Sequence, residues 1–323
     1  MSNANFRLAF ERPIDELEAR LAQLESVGAG GDVPEELSRL KRELSDLKRK
    51  IYGQLNAWER VQVARHPDRP MTTDYIQLLF DEFIELHGDK NFSDDRAIRS
   101  GFAKLEQYKV MVIGHQKGKT LKERNACHFG CAHPEGYRKA MKKMRLAAKF
   151  GMPIICFIDT PGAYPGVGAE ERGQAQVIAE NMFEMSRLPV PIIVVVIGEG
   201  GSGGALGIGV GDKVAVMEFA YYSVISPEGC AGILWKSHTH APEAAKALKI
   251  TSKDLLRLKV IDDVIEEPLG GAHRDHFQAA ARLKMYLLKC LRELTARSGA
   301  ELVETRYDKF RRMGMYLENG IPA

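Results

Sequence analysis

Two similar segments constrain the fold more than any other feature of this sequence. Pro153-Ile154-Ile155 and Pro191-Ile192-Ile193 each begin a short apolar run, and their starts lie 38 residues apart. Each run leads into a glycine-rich loop and then into a helical pattern. Strands that are buried on both faces of a parallel sheet give near-continuous apolar runs of this kind. The repeated segments therefore predict buried parallel strands in an α/β protein.

The rest of the core alternates strand and helix patterns, which is typical of an α/β chain. The predicted strands are residues 110–113, 154–158, 192–197, 213–217 and 223–225. The predicted helices are residues 134–150, 170–187, 203–210 and 272–295, with further helices beyond Pro227. Ligands of parallel sheets tend to bind at the carboxyl ends of the strands, so both glycine-rich loops are candidate sites.

Two apolar stripes at helical spacing precede the core. They comprise Ile14, Leu17, Leu21 and Leu24, and then Leu37, Leu40, Leu44, Leu47 and Ile51, with the glycine-rich residues 28–31 between them. The spacing predicts an antiparallel helical hairpin, an arm that packs rather than performs chemistry. The segment His66-Pro67-Asp68-Arg69-Pro70 breaks the pattern. We expect an arm over residues 1–70, a catalytic domain over 71–298, and a tail over 299–323 whose basic residues 306–312 are solvated.

The charge and cysteine content exclude several classes of protein. Lys and Arg number 46 against 43 Asp and Glu, and a net charge of +3 is too small to indicate nucleic acid as the principal partner. The most apolar run, residues 192–197, is too short to span a membrane, and no secretory signal precedes it. Five cysteines without such a signal predict free thiols in a reducing cytoplasm.

The second glycine-rich loop, residues 198–206, carries the sharpest functional signal. Glycine costs chain entropy, and a loop tolerates it where backbone must approach a ligand closely. If a helix begins near Gly203, its first amides have no internal acceptor and face outward at the positive end of the helix dipole. The amides of Gly203 and Gly204 are therefore candidates for an oxyanion site, with loop 159–171 as its wall.

Three other interpretations compete for this loop. Gly198, Gly200 and Gly203 match a dinucleotide fingerprint, but only about eight residues precede Gly211, too few for the required crossover helix. A serine peptidase would use Ser202 as its nucleophile. Its base would be one of four histidines, none of which a local pattern ties to Ser202: His128, His133, His238 and His240. A non-catalytic scaffold that only shapes a partner's site is the third alternative.

Five motifs occur in order along the chain. They are Gly114-His115-Gln116-Lys117, Ala132-His133-Pro134-Glu135-Gly136-Tyr137-Arg138-Lys139, residues 159–173, residues 198–211, and Ser226-Pro227-Glu228-Gly229-Cys230. Through these motifs the chain resembles, over nearly its whole length, the carboxyltransferase alpha subunits of bacterial acetyl-CoA carboxylases. The resemblance implies an α/β fold of the crotonase type (ClpP/crotonase), built of repeated ββα units behind the N-terminal helical hairpin arm.

The resemblance also implies an active site shared between subunits of an α2β2 heterotetramer. The beta subunit carries a zinc ribbon and presents acetyl-CoA. The alpha subunit receives carboxybiotin on the biotin carboxyl carrier protein, with a biotin carboxylase in the larger complex. The product is malonyl-CoA for fatty acid synthesis. By this resemblance, the amides of Gly203 and Gly204 polarise the ureido oxygen of biotin, and four residues line the carboxybiotin side: Gly162, Ala163, Gly200 and Gly201.

The remaining polar residues give weaker signals. Cys127 and Cys131 lie near histidines, but three intervening residues and the lack of a second cysteine pair make a poor zinc pattern. We therefore expect no metal to be bound by this chain. Ser226-Pro227-Glu228 has the composition of a helix start, with serine as the N-cap. The sequence leaves open the roles of four charged residues: Glu170, Glu171, Glu228 and Lys236.

Overall fold

The computed structural model describes residues 6–27, 33–314, 317–318 and 321–322. The α-helices are α1 (Arg12–Val27), α2 (Val33–Gln54), α3 (Ala57–Ala64), α4 (Thr72–Leu79), α5 (Leu121–Ala126), α6 (Pro134–Lys149), α7 (Val167–Glu171), α8 (Gln174–Arg187), α9 (Ser202–Leu206), α10 (Pro227–Trp235), α11 (Ala241–Leu248), α12 (Ser252–Arg257), α13 (His276–Leu294) and α14 (Gly299–Arg311). Short 3₁₀ helices lie at Ala9–Glu11, His128–Gly130 and His238–His240. In the described part of the chain, no helix combines the length and apolar character needed to cross a membrane.

The strands form one large mixed sheet and a small hairpin. They are β1 (Glu82–Glu85), β2 (Ile98–Leu105), β3 (Tyr108–His115), β4 (Ile154–Thr160), β5 (Ile192–Gly201), β6 (Lys213–Met217), β7 (Tyr221–Ser223), β8 (Asp263–Ile265), β9 (Leu317–Glu318) and β10 (Ile321–Pro322). The order in the large sheet is β1-β2-β3-β4-β5-β6-β8, and β7 pairs with the end of β5. The pairs β1–β2 and β2–β3 are antiparallel, and the others of this sheet are parallel.

The two repeated segments become adjacent strands at the centre of the sheet. β4 and β5 run parallel, with Ile154 opposite Ile192 and Ile155 opposite Ile193. Every residue of both strands is buried, which explains why their sequences show no polar alternation. The prediction of buried parallel strands is confirmed. Because the strands are parallel and in register, their glycine-rich loops leave the sheet at the same edge.

Several element boundaries differ from the predicted ones. The predicted helix over residues 170–187 is two helices, α7 and α8, because Gly173 adopts a left-handed conformation with φ of 79°. The helix after the second loop is shorter than predicted and begins one residue earlier, at Ser202. The strand predicted at 223–225 is β7, which ends at Ser223. The sequence interpretation missed β1, β2 and β8.

The helical arm forms as predicted and is docked on the core. Glu18 pairs with Lys48 at 2.6 Å and Glu25 with Lys41 at 2.9 Å, which is the antiparallel pairing of α1 with α2. The predicted turn at residues 28–31 lies outside the described residues. Arg274 of the core donates hydrogen bonds to three arm carboxylates, those of Glu11, Asp15 and Glu18. The boundary at residue 70 stays a prediction.

The expectation of a solvated basic stretch near the C-terminus is wrong for Arg306. This residue lies on α14 and is 1% exposed. Its guanidinium donates to both carboxylate oxygens of Asp212, at 2.9 and 2.8 Å, and to the carbonyls of Met185, Leu188 and Val190. The basic character of residues 306–312 reflects a buried ion pair together with exposed side chains. The helix is therefore part of the packed core.

Candidate active site

The two glycine-rich loops meet backbone against backbone at the carboxyl edge of the sheet. A Cβ atom at Gly204 would lie 2.4 Å from the amide nitrogen of Ala163 and 2.5 Å from the carbonyl carbon of Gly162. A Cβ at Gly201 would lie 2.1 Å from the carbonyl oxygen of Pro161. Real Cβ atoms do not approach this closely, so only glycine permits the contact. The structure thus brings together loop residues that lie 40 to 42 positions apart in the sequence.

The amides of Gly203 and Gly204 lie in the first turn of α9, directly after β5. First-turn amides have no acceptor within their own helix. Among the described residues, neither amide donates a hydrogen bond to another acceptor. Gly203 is half-buried, and Gly204 is buried against the first loop. The pair therefore offers free donors at the edge of the sheet, and their role as an oxyanion site stays a prediction.

An apolar cavity of about 380 Å³ opens beside Gly203. Its lining includes Leu206 of α9, Tyr222 and Val224 around β7, and Phe310 and Met313 at the end of α14. Such a cavity favours an uncharged ring or chain, and the neighbouring amides provide the polar contacts. Residues of the supposed tail thus help to form the wall of the candidate site.

A buried charge network lies beneath the loops. Lys117, which follows β3, places its Nζ 2.7 Å from Oδ1 of Asp159 and 2.6 Å from Oε1 of Glu199. Arg65, at the end of α3, donates to the other oxygen of Glu199 at 2.7 Å and also to Glu228. The hydroxyl of Tyr221 donates to Glu199 at 2.6 Å. The network borders a second cavity, of about 770 Å³, which His66, Arg124 and Phe129 also line.

The network keeps its members charged despite burial. Burial raises the pKa of Glu199, but Lys117 and Arg65 outweigh that effect and lower it to about 2. Burial lowers the pKa of Lys117, but Asp159 and Glu199 outweigh it and raise that pKa. Both groups are therefore ionised at neutral pH. Neither has the protonation state of a general acid or base poised near neutrality.

The open question of Glu228 is answered in part by its contacts. Ser226 caps α10 by accepting the Gly229 amide at 3.0 Å, and Pro227 is the first helical residue, as predicted. Glu228 pairs with Arg65, so it belongs to the charge network as well as to the opening turn of α10. Lys236 has a left-handed conformation at the end of the same helix. Glu170 and Glu171 are exposed on α7.

Aromatic and imidazole rings support the first loop from outside. Tyr164 stacks on His133 with ring centroids 4.0 Å apart, and His128 contacts both rings edge-on. The Tyr164 amide donates to the carbonyl of Ala132 at 3.0 Å. These contacts attach loop 161–166 to the segment that precedes α6. The histidines of this motif thus have a packing role beside the candidate site.

The described residues contain one group with the proximity of metal ligands, and it is not the predicted cysteine motif. The group comprises Glu11, His66 and His273, at the junction of arm and core. Oε1 of Glu11 already contacts Tyr52, His273 and Arg274, and the His66 and His273 rings stack 4.1 Å apart. The ring nitrogens of two stacked imidazoles point in different directions and do not converge on one metal ion. The group is therefore better described as an ion-pair cluster.

The five cysteines are free thiols. Burial raises the pKa of both Cys127 and Cys131, which keeps the thiols protonated and poor as metal ligands. Neither cysteine belongs to a ligand group among the residues that the structure describes. The chemistry of the motif therefore gives no support for zinc at this position.

In the described parts of the chain, the peptidase interpretation finds no base for Ser202. Ser202 has a left-handed conformation with φ of 50°, and its hydroxyl makes no hydrogen bond to a histidine among the described residues. His238 instead contacts the Glu228 carbonyl, and His240 lies near Glu243. His128 and His133 are occupied with Tyr164. The arrangement does not assemble the nucleophile–base pair that such an enzyme requires.

Comparison with known proteins gives close relatives over the whole length. A family model described as acetyl co-enzyme A carboxylase carboxyltransferase-like matches residues 7–314. A Rhodopirellula baltica protein named acetyl-coenzyme A carboxylase carboxyl transferase subunit alpha is 64% identical over 315 residues, covering 96% of this chain and 98% of the relative. A protein of the same name from Geobacter metallireducens is 52% identical, covering 98% of this chain and 99% of the relative.

Solved structures with a similar fold are more distant in sequence. Transcarboxylase 12S has a TM-score of 0.58 and 19% identity, over 71% of this chain and 43% of that chain. The beta subunit of P. aeruginosa geranyl-CoA carboxylase has a TM-score of 0.55 and 18% identity, over 76% of this chain and 46% of that chain. These likenesses concern the fold alone. With them, the prediction of a crotonase-type α/β fold is confirmed.

Proposed function

Because the chain belongs to the acetyl-CoA carboxylase carboxyltransferase family, we propose that it is the biotin-facing alpha subunit of that enzyme. It would transfer the carboxyl group from carboxybiotin, borne on the biotin carboxyl carrier protein, to acetyl-CoA and so form malonyl-CoA. The observation that carries the proposal is the pair of free amides at Gly203 and Gly204 beside an apolar cavity. The proposed setting is the cytoplasm.

The chain's contribution would be electrostatic rather than nucleophilic. Gly203 and Gly204 would donate hydrogen bonds to the ureido oxygen of biotin and stabilise the charge that develops there as the carboxyl group leaves. Preorganised donors of this kind are worth roughly a hundredfold to a thousandfold each in rate. Carboxybiotin supplies the transferable carboxyl group when it is bound. The absence of a base beside Ser202 in the described structure is consistent with this chemistry.

The chemical character of the residues around the two loops suits the head group of biotin. The ureido group needs donors for its oxygen, which the amides of the second loop provide. The rest of the ring system needs apolar walls, which we assign to Gly162 and Ala163, because the space beside Gly162 is open, whereas Gly200 and Gly201 pack against Tyr222 and Pro161 and shape the loop from within. The apolar cavity beside Gly203 has room for a group of this size. No metal ligand set is required of this chain.

The partners are also part of the proposal. The curated relatives are named as alpha subunits, which implies a complex with a beta subunit. We place acetyl-CoA and a zinc ribbon on that beta subunit in an α2β2 heterotetramer. The carrier protein and biotin carboxylase would complete the larger complex.

The test is an assay of carboxyl transfer between malonyl-CoA and biocytin, with the purified chain alone and mixed with a beta subunit. We expect turnover only in the mixture, because the site is shared. Turnover by the chain alone would contradict the claim that the site is shared between subunits. An assembled mixture without activity would contradict the proposed function itself.

The same assay separates the peptidase alternative. Ser202→Ala removes only a hydroxyl and keeps the backbone amides that follow it. We expect carboxyl transfer by the Ser202→Ala mixture to stay close to that of the unmodified mixture. A loss as large as that from deleting a catalytic nucleophile would favour a nucleophilic role for Ser202.

A further inference from the structure

We propose that Lys117 is a positioning residue that sets the spacing between the two glycine-rich loops, residues 159–171 and 198–206. This inference rests on the proposed function. The partners of the Lys117 ammonium are Asp159 and Glu199, not Gly203 or Gly204. The ammonium therefore bridges one carboxylate on each of the two central strands, Asp159 on β4 and Glu199 on β5. Asp159 lies one residue before the end of β4 and Glu199 two residues before the end of β5, where each strand passes into its glycine-rich loop.

The bridge lies at an irregularity that determines where the second loop starts. Ile158 pairs with Val196, but the next pair along the strands is Thr160 with Gly200. One residue of β4 therefore faces three residues of β5, so the second loop is displaced relative to the first. A bulge of this kind leaves ladder groups unpaired and redirects the strand.

Asp159 occupies the gap that the bulge creates. Its Oδ1 accepts the Glu199 amide at 2.9 Å, where a regular ladder would offer a carbonyl. A Cβ at Gly198 would lie 2.5 Å from the same oxygen, so the bulged strand passes directly against the carboxylate. Lys117 binds that oxygen as well, and it fixes the Asp159 side chain in the orientation that holds β5.

The charges around the bridge make the geometry rigid. Glu199 is held from the other side by Arg65 and Tyr221, and the side chains of Asp159 and Glu199 are each 8% exposed. Loss of Lys117 would leave the buried carboxylates of Asp159 and Glu199 facing each other without the cation that lies between them. The bridge thus acts at the base of both loops, whose tips carry Ala163 and Gly204 in direct contact.

A role in charge balance alone is distinguishable from a role in spacing. Lys117→Met removes the bridge and unbalances the charge, whereas Lys117→Met with Glu199→Gln removes the bridge but restores the balance. Lys309→Met is the matched control, because Lys309 pairs with Asp262 at 2.8 Å with similar exposure and lies on α14. All variants are assayed as mixtures with the beta subunit.

We expect Lys117→Met to lower kcat by about a hundredfold, as a displacement of reacting groups by about 1 Å does, with little change in KM. The double variant should recover thermal stability but not kcat. Amide hydrogen exchange at Gly162 and Glu199, whose amides donate to Thr160 and Asp159, should be faster in both variants of the assembled complex. Lys309→Met should lose stability without these effects.

Recovery of kcat in the double variant would reduce Lys117 to a charge-balancing residue and overturn the inference. So would a Lys117→Met mixture whose kcat and loop exchange match those of Lys309→Met. These results differ from a failure of the proposed function, in which the unmodified mixture itself shows no carboxyl transfer.

Discussion

Glycine at position 204 is required by the packing of one loop on another. An added Cβ would meet the backbone of Gly162 and Ala163 at 2.5 and 2.4 Å, and backbone cannot rotate away as a side chain can. At Gly203 the nearest atom to an added Cβ is the Ile178 side chain at 3.8 Å, an ordinary contact. Adjacent glycines with the same proposed role thus differ in what they tolerate.

We predict that Gly204→Ala lowers carboxyl transfer by about a hundredfold or more, because it separates the loops while keeping the amide. Gly203→Ala should keep most of the activity. The measurement is kcat of each variant mixed with the beta subunit, after assembly has been verified by sedimentation. Equal activity of the two alanine variants would mean that the close contact between loops does not matter for turnover.

His115 gives the protein a buried group that resists protonation. Burial and, to a smaller extent, the nearby Lys117 ammonium together lower the pKa of this histidine to about 3. Its ring lies near the carbonyls of Gly204 and Phe157 without forming a hydrogen bond of good geometry. The folded protein therefore keeps His115 neutral at the base of the candidate site.

The consequence is a loss of stability in mild acid. The unfolded chain protonates a histidine near its ordinary pKa of about 6.5, whereas the folded protein resists protonation until a much lower pH. The free energy of unfolding should therefore fall as the pH drops from about 6.5 towards 3, by up to about 1.4 kcal/mol per pH unit for this site. Urea unfolding across this range should show a shallower slope for His115→Gln. An unchanged slope would contradict the prediction, with the exposed His87→Gln as control.

At the scale of elements, α14 shows how a single ion pair can dock a helix. The guanidinium of Arg306 donates hydrogen bonds to Asp212 and to three backbone carbonyls, one in the last turn of α8 and two just after it. Asp212 in turn accepts the Ile192 amide at the start of β5, at 2.7 Å. The helix is thus attached to the strand that carries the candidate site.

We predict that Arg306→Met lowers the free energy of unfolding by about 3–5 kcal/mol, because it leaves the Asp212 carboxylate buried without its cation. Arg311→Met, on the exposed side of the same helix, should have a small effect. Chemical denaturation of both variants measures the difference. A cost for Arg306→Met no larger than that for Arg311→Met would show that the ion pair does not hold the helix.

Elements with strong periodicity were predictable from sequence, and elements defined by tertiary pairing were not. The apolar runs of β4 and β5 and the stripes of α1 and α2 carry their own signal. β1 and β2 are partly exposed and lack such a run, so only pairing defines them, β1 with β2 and β2 with β3. The break at Gly173 depends on a left-handed backbone that a helical pattern cannot reveal.

The candidate site divides in the same way. The glycine loops were identifiable because glycine clustered after a buried strand indicates that backbone approaches a ligand or a neighbouring segment closely. The charge network escaped notice because Lys117, Asp159 and Glu199 are far apart in sequence and meet only through strand adjacency. The only sequence feature that pointed to this network was the presence of charged residues at the ends of otherwise apolar strands. Arg306 was misjudged because local charge does not reveal a distant buried partner.

For the whole molecule, the sheet determines where function can lie. Parallel pairing of β4 and β5 brings both glycine loops to one edge, where the apolar cavity adjoins Gly203 and the charge network borders the larger cavity. The arm is held at its base by ion pairs to Arg274, and Arg65, which follows α3, holds Glu199 beside the second loop. In the proposed function, this sheet edge presents the amides of Gly203 and Gly204 to biotin, and a partner subunit completes the site.

The most direct test of those donors compares two substitutions at one position. Gly203→Pro removes the amide hydrogen at a first-turn position where proline breaks no helical hydrogen bond, and Gly203→Ala adds a side-chain atom but keeps the amide. The measurement is kcat for transfer between malonyl-CoA and biocytin in the assembled alpha–beta mixture. We predict a loss of roughly a hundredfold to a thousandfold for proline and little loss for alanine. Equal turnover by the two assembled variants would contradict the account.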